Sequence, residues 1–344
     1  MKIGIHNIKG SFSERWIDYC TTNNISYKLV DCYSTDIMQQ LSDCDALMWH
    51  FSQNSTKDFL FAKQLILSVE ETGKKVFPDY KTAWHFDDKV GQKYLFEAVG
   101  APVAPTWVFY NKNKALEWLN QTDFPKVFKL RGGAGSQNVA LVRSKNQAKN
   151  LIRKAFGRGF PSFDSWGSLK EEWRRFGLGK SKLLDLAEAF VRLVLPPPYA
   201  RIKGRDKGYI YFQEYIPGNS FDIRIIIIGD KAFGIKRLVR SNDFRASGSG
   251  LVFYEKQHFK EDTIRLSFQM AEKLKSQCAA FDFVYTEDRT YVLEVSYGFI
   301  KEVYDPCTGY WDKEMNWYEG KFNPYGWMVE NLLRSVKNSL ADRK

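Results

Sequence analysis

The sequence predicts an α/β protein in which a parallel sheet comes first and antiparallel sheets follow. Three observations carry this. Residues 1–90 alternate short apolar runs with amphipathic stretches, the pattern of a parallel sheet with helices on its faces. Beyond Tyr209 the apolar runs lengthen, and Gly229–Asp230 reads as a hairpin turn between Asp222–Gly229 and Lys231–Leu238, which makes that region antiparallel. The length of 344 residues suits two domains or three small ones, and 44% apolar content allows a sizeable core.

Taken in order, Lys2–His6, Tyr27–Asp31, Ala46–His50 and Lys75–Phe77 read as strands, separated by helices near Ser13–Thr22, Ile37–Leu41 and Thr56–Thr72. No GxGxxG follows the first strand, so the dinucleotide fingerprint is absent. This region is expected to present substrate. A helix from Asp87 runs to Val99 and ends at Gly100; Thr106–Tyr110 is a strand and Lys114–Leu119 a short helix. Phe124–Leu130, a basic glycine-rich stretch at Arg131–Ser136, and Val139–Val142 give strand, turn, strand. A helix at Gln147–Phe156 precedes an unusual segment, Gly157–Lys207, and Tyr209–Ile216 returns to strand. That segment reads as a helical insertion. Ser168-Leu169-Lys170-Glu171 is a capping box for one helix, and a second near Ser181–Leu195 is stopped by Pro196-Pro197-Pro198. Its Gly179-Lys180-Ser181 mimics the end of a phosphate-binding P-loop, but the required first glycine is Arg174.

The net charge of +11 suggests an anionic partner. The excess is confined to the middle: residues 1–90 carry −2, 91–152 carry +6, 153–208 carry +7 and 209–344 are neutral. Five cysteines form no CxxC pair and have no histidine at ligand spacing, so free thiols and a reducing compartment are expected. With no signal peptide and no membrane span in view, the expected location is cytoplasmic.

The sharpest chemical signal is Phe281-Asp282-Phe283-Val284-Tyr285 followed, after a polar turn, by Tyr291-Val292-Leu293-Glu294-Val295-Ser296. Asp282 and Glu294 lie equidistant from Asp288, so a simple hairpin makes them direct cross-strand neighbours, about 4.5–5.5 Å apart. The pairs 281–295, 283–293 and 285–291 then form an apolar face. Two such carboxylates repel unless one is protonated or a cation joins them, and hard oxygens suit Mg²⁺ or Mn²⁺. A solvent-facing polar edge is the alternative. Lys89, Lys129 and the glycines after Arg131 offer cationic and backbone donors of the kind a nucleotide polyphosphate needs, although for the glycines taken alone a plain flexible hairpin is the better reading. Gln213-Glu214-Tyr215-Ile216 ends a strand where backbone and carboxylate can meet a purine edge and ribose, or where a glutamate is merely solvated. Alternation puts Asp222 and Arg224 on one side of the next strand, and Arg237 and Arg245 follow.

This order of parts resembles the ATP-grasp superfamily, and within it the carboxylate–amine ligases of the RimK and glutathione synthetase type. The likeness runs from about Val76 to Phe299, through Gln-Glu-Tyr-Ile, Asp-Ile-Arg, Asp-Phe-Arg and Leu-Glu-Val in the family's order. It implies a Rossmann-like domain over 1–86, a small ATP-grasp subdomain over 87–216 with the insertion at 157–207, and a large subdomain over 217–344 with the metal site and a C-terminal helix. It also implies that Lys89, Lys129, Gly132, Gly133, Gly135 and Ser136 contact ATP phosphates. Gln213, Glu214, Tyr215 and Ile216 match the adenine-holding hinge and Asp222 a ribose-side contact. Arg237 and Arg245 match basic residues facing the phosphates and the reacting carboxylate, and Asp282, Glu294 and Ser296 match the metal ligands. The family usually has Asn where Ser296 stands, followed by a small-residue, proline-containing turn in place of Tyr297-Gly298-Phe299.

The resemblance implies an ADP-forming ligase: ATP and Mg²⁺ or Mn²⁺ convert a carboxylate to an acyl phosphate, which an amine attacks. Its substrate is expected among small molecules, peptides or glycan precursors, anionic or sugar-bearing ones included, and a homodimer is compatible with it. A resemblance to ATP-grasp proteins of bacterial surface-polysaccharide synthesis points the same way. One other reading stays open, an ATP-binding module with weakened turnover, because of Ser296; a nucleic-acid binder rests on charge alone, and since the positive segments hold the phosphate-facing lysine and glycine loop and the insertion, no nucleic-acid partner is expected. The insertion, with Trp166, Trp173, Phe176, Arg174 and Arg175, either lies over the active cleft or covers exposed sheet. The aromatic tail (Tyr304, Tyr310, Trp311, Trp317, Tyr318, Trp327) either stacks on sugar or packs between domains.

Overall fold

Four short strands, β1 (Ile3–His6), β2 (Tyr27–Val30), β3 (Ala46–Met48) and β4 (Lys75–Phe77), form a parallel sheet in the order β2-β1-β3-β4. Helices α1 (Phe12–Thr22), α2 (Ile37–Gln40), α3 (Thr56–Glu71) and α4 (Tyr80–Ala83) alternate with and follow them. Their starts are chemically marked: Ser11 and Ser55 side chains accept from Ser13 N and Asp58 N, satisfying amides that the helix leaves open. Phe12, Trp16 and Cys20, spaced by four, turn one face of α1 into the core. The computed structural model describes residues 1–344 apart from 134–137, 178, 180, 240–243, 247–249 and 343–344.

The described chain divides into two units, Met1–Phe86 with Leu95–Pro102 and Gly218–Lys344, and Asp87–Tyr94 with Val103–Pro217. Helix α5 (Lys89–Ala98) crosses from the second unit to the first. In the second unit β5 (Thr106–Phe109), α6 (Lys112–Trp118), β6 (Lys126–Lys129), β7 (Val139–Val142) and α7 (Lys145–Ala155) precede the insertion. The insertion holds β8 (Phe160–Pro161), α8 (Ser165–Gly177), α9 (Leu183–Val194), α10 (Pro198–Lys203) and β9 (Arg205–Asp206). Strand β10 (Ile210–Glu214) then completes an antiparallel sheet ordered β5-β10-β6-β7. Strands β8 and β9 pair antiparallel and close the insertion at its base. Helix α8 starts three residues ahead of the expected box: Asp164 accepts from Gly167 N at 3.0 Å, and Ser168 is already inside the first turn. Aspartate caps as well as serine, and it comes first in the chain.

The first unit continues with β11 (Phe221–Ile228), β12 (Lys231–Leu238), β13 (Val252–Phe253), α11 (Glu261–Leu274), β14 (Cys278–Tyr285), β15 (Thr290–Ser296), α12 (Lys301–Tyr304), β16 (Gly309–Asp312), β17 (Trp317–Glu319) and α13 (Pro324–Ala341). Seven strands make one sheet, ordered β15-β14-β11-β12-β16-β17 with β13 also on β12. Ile226, Ile228, Phe233 and Ile235 from this sheet, residues of the parallel sheet, and Met328, Val329 and Leu332 of α13 share one buried core. The aromatic tail packs inside this unit: Tyr310 stacks on Tyr318 at 5.0 Å and Phe322 on Trp327 at 5.1 Å, while Trp311 and Tyr304 are buried. Among the described residues no helix is long and apolar enough to cross a membrane. All five cysteines are free and buried.

The β14–β15 hairpin departs from the simple register. Phe281 pairs with Val295 and Asp282 with Glu294, but Phe283 pairs with Val292 and Tyr285 with Thr290. Leu293 is thus the extra residue of a β-bulge. The bulge explains why Val292 and Val295, an odd number of residues apart, are both buried.

Candidate functional site

Within the second unit, β6 divides its lysines between the two faces of the sheet. Lys129 pairs in register with Tyr211, and Val127 with Gln213, so these four side chains share one face. Lys126, Phe128, Phe212 and Glu214 share the other, which packs Phe128 and Phe212 among the residues of α6 and α7. Lys126 Nζ donates to both Glu214 carboxylate oxygens, at 3.0 and 2.9 Å. The Glu214 carboxylate, expected to meet ribose, is therefore held on the helix side, and Glu214 N donates to Pro105 O at 2.8 Å. Gln213 is buried and its amide donates to Thr106 Oγ1 at 3.0 Å; Tyr215 and Ile216 are half-buried beyond it.

The stretch after β6 is fastened to the start of α5. Lys89 N donates to Arg131 O at 2.9 Å and Lys89 Nζ to Gly133 O at 2.8 Å. Gly133 N donates to Asp87 Oδ1 at 2.6 Å, and Asp87 itself has φ +55. Arg131 donates to Asp88 through Nη2 at 2.5 Å, and its backbone N–H donates to Tyr209 Oη at 2.6 Å. Tyr209 in turn donates to Asp206, whose carboxyl burial pushes above its ordinary value. Lys203 of the insertion lies 3.5 Å from Asp87 Oδ2. A Cβ at position 132 would crowd Lys203 Nζ and sit 2.7 Å from Asp87 Oδ2, so a larger residue there requires one of the two side chains to move. Gly135 and Ser136 lie outside the described residues. Asp87, Asp88, Lys126 and Lys203 were absent from the sequence-based set. Lys126 was detectable by parity with Lys129, whereas Lys203 is 116 residues from Asp87 and carried no sequence signal.

In the first unit one face of the large sheet carries a row of charges. Arg224 on β11 pairs with Asp282 on β14, and Asp282 with Glu294 on β15. Arg224 donates to Asp282 through Nε at 2.5 Å and Nη2 at 2.7 Å. Arg237 on β12 grips Asp222 with two bonds of 2.7 Å and also reaches Asp282 Oδ1 at 2.9 Å. Burial alone would raise the Asp282 carboxyl, but Arg224 and Arg237 outweigh it and hold it at about 2. Burial pushes the Tyr304 hydroxyl up to about 12 beside this network, opposed by Arg224. Asp222 and Arg237, assigned separately to ribose and phosphate, are thus joined to each other. Arg245 is half-buried, its guanidinium 6.0 Å from the Phe244 ring centroid. Ser296 stands opposite Ala280 on the side of Glu294, but its hydroxyl closes on its own turn, donating to Gly298 O at 3.0 Å and accepting from Gly298 N at 3.1 Å.

Asp222, Asp282, Arg224 and Arg237 bring two formal charges of each sign into contact, and Glu294 adds a third carboxylate to the row. A carboxylate accepts about four hydrogen bonds, and the three from Arg224 and Arg237 leave Asp282 a place on Oδ2. With Glu294 directly across, this donor set fits a hard divalent cation shared by the two carboxylates. Among the described residues no cluster of three or more His, Cys, Asp or Glu could hold a metal, so the rest of any coordination shell has to come from elsewhere.

The model of the RimK-like ATP-grasp domain family matches residues 201–302. The chain is 21% identical over 227 residues to the alpha-aminoadipate–LysW ligase LysX of Saccharolobus solfataricus, a match spanning 66% of each chain. Among solved structures it is similar to D-alanine–D-alanine ligase from Bacillus anthracis complexed with ATP, with TM-score 0.55, 13% identity and 98% of each chain covered. The ATP-grasp ligase PsnB complexed with minimal precursor, Mg and ADP gives TM-score 0.55 at 11% identity, again over 98% of each chain.

Proposed function

From the premise that this chain belongs to the ATP-grasp superfamily and carries a RimK-like ATP-grasp domain, we propose that it is an ATP-dependent carboxylate–amine ligase working through an acyl phosphate. The observation that carries the reading is the Asp282–Glu294 pair opposed across β14 and β15 inside the span the family model matches. A magnesium ion bound there supplies Lewis-acid neutralisation of phosphate charge. Lys89 and Lys129 bring cationic donors to ATP phosphates, and the Gly132 backbone N–H brings a dipole, that of Gly133 being held by Asp87. The Glu214 carbonyl, with Tyr215 and Ile216, receives the adenine edge. Arg224 and Arg237 hold Asp282 ionised and oriented, and Arg245 steadies the oxyanion as the amine attacks. Buried free cysteines support a reducing, cytoplasmic setting. The named relatives lend no support to a polysaccharide acceptor.

Incubating the full chain with ATP, Mg²⁺ and paired panels of carboxylates and amines tests this. ADP release that requires both members of a pair is the expected result. ATP binding without ADP release across the panel would overturn it, and would favour the second reading, an ATP-binding module without turnover, which the inward-turned Ser296 hydroxyl supports.

A further inference from the structure

Within the insertion, the α8–α9 hairpin buries only a small apolar core of its own. Leu169 of α8 and Leu186 and Ala189 of α9 form a small separate core, with Leu193 against it. An ordinary surface helix needs an apolar stripe of about 100°. At 3.6 residues per turn, the apolar residues of α9 cover roughly two thirds of its circumference, leaving one side to Asp185, Glu188 and Arg192. Leu184, Ala187, Val191 and Val194 repeat at spacings of three, four and three on the outer side, with Leu184 80% and Val194 82% exposed. Beside the seam on α8, Trp166 is 68% and Trp173 60% exposed. Continuous exposed apolar surface of this kind marks an interaction site.

We propose that the α8–α9 hairpin docks on an anionic lipid bilayer surface, its outer aliphatic stripe and two tryptophans entering the interface. Charge selects the occupant. Residues 153–208 hold thirteen basic and six acidic residues, and Lys170, Arg174 and Arg175 of α8, Lys182 before α9 and Arg201 of α10 are exposed in the same segment. A second copy would bring the same excess positive charge against it. Anionic headgroups complement it. The stripe runs along the outside of a single helix, so it forms a ridge that enters a fluid interface and offers no groove to a partner helix. Trp and Leu on one side with Arg and Lys around them is the composition of interfacial helices.

The test is co-sedimentation of the full chain with vesicles of phosphatidylcholine containing about one third phosphatidylglycerol, against pure phosphatidylcholine. Binding to the anionic vesicles is expected, weakened by salt and reduced at least about tenfold in a Leu184→Glu/Val191→Glu/Val194→Glu variant, with its melting temperature unchanged. A Lys170→Gln/Arg174→Gln/Lys182→Gln variant should lose the preference for phosphatidylglycerol while keeping its fold. Absence of binding, or equal binding by the glutamate variant, overturns the proposal. So does a vesicle-inert chain that self-associates through the stripe in sedimentation velocity, or one that binds an acidic amphipathic peptide there.

Discussion

Arg224 and Asp282 face one another across neighbouring antiparallel strands and are joined by two hydrogen bonds, Nε to Oδ1 at 2.5 Å and Nη2 to Oδ2 at 2.7 Å. The same carboxylate is the proposed metal ligand, so its geometry is set by a cation the chain carries permanently. Breaking a buried pair from one side costs about 3–5 kcal/mol, because the remaining charge is left uncompensated. Arg224→Met should lower unfolding stability by that order. Arg224→Met with Asp282→Asn should cost less than the two single changes added together. Urea unfolding of the four proteins measures the coupling, and strict additivity would show the pair to be energetically irrelevant.

The pH dependence follows from the same contact. Asp282 is held at about 2 in the folded chain, below an ordinary aspartate of about 3.9. A depressed folded-state value contributes stability that is present in full above the unfolded value and is lost as pH falls through the folded one. The stability gap between the native chain and Asp282→Asn should be constant above about pH 4 and should shrink between about pH 4 and 2. Chemical denaturation at stepped pH reads it; a gap that changes around neutrality would point to another group.

Lys126 and Lys129, three residues apart, offer a contrast that alternation alone explains. Lys129→Met should weaken ATP binding by tenfold or more, about 1.4 kcal/mol. Lys126→Met leaves Glu214 without its partner on the helix side and should lower stability by about 1–3 kcal/mol. Calorimetric ATP titration beside thermal unfolding separates the two, and a reversed pattern would put nucleotide on the other face.

Much of this was legible beforehand because it rests on period and order. The Lys75–Phe77, Val139–Val142 and Lys231–Leu238 strands fall as expected, while the Asp282–Glu294 pair, counted from a simple turn at Asp288, is present only because the Leu293 bulge shifts the register by one between the turn and that pair. The Leu293 bulge was not legible: Tyr-Val-Leu-Glu-Val alternates plausibly in either register, and only the burial of both Val292 and Val295 decides between them. Third-dimension contacts were equally hidden. Nothing in the sequence joins Lys203 to Asp87, or sends Arg237 to two aspartates rather than to phosphate.

Gly132 turns one such contact into a measurement. An alanine methyl there meets Lys203 Nζ, which can swing away, and Asp87 Oδ2, which is held because Oδ1 accepts from Gly133 N. Gly132→Ala should therefore disturb the Asp87–Gly133 bond and weaken ATP binding, and adding Lys203→Met should restore only part of the loss. Full rescue by the second change would show that the lysine alone sets the spacing.

Ser296 decides between the two functional readings. Its hydroxyl is occupied by both the N–H and the carbonyl of Gly298, leaving Asp282 and Glu294 as the carboxylate donors on that face. An asparagine reaches one atom further and carries a carbonyl oxygen, a better ligand for a hard cation. Ser296→Asn should raise Mg²⁺-dependent ADP release, or lower the Mg²⁺ concentration that half-saturates it, without changing ATP affinity measured in the absence of metal. If the native chain already turns over rapidly and the asparagine slows it, the turn at Gly298 is itself part of the working geometry, and the non-catalytic reading is removed.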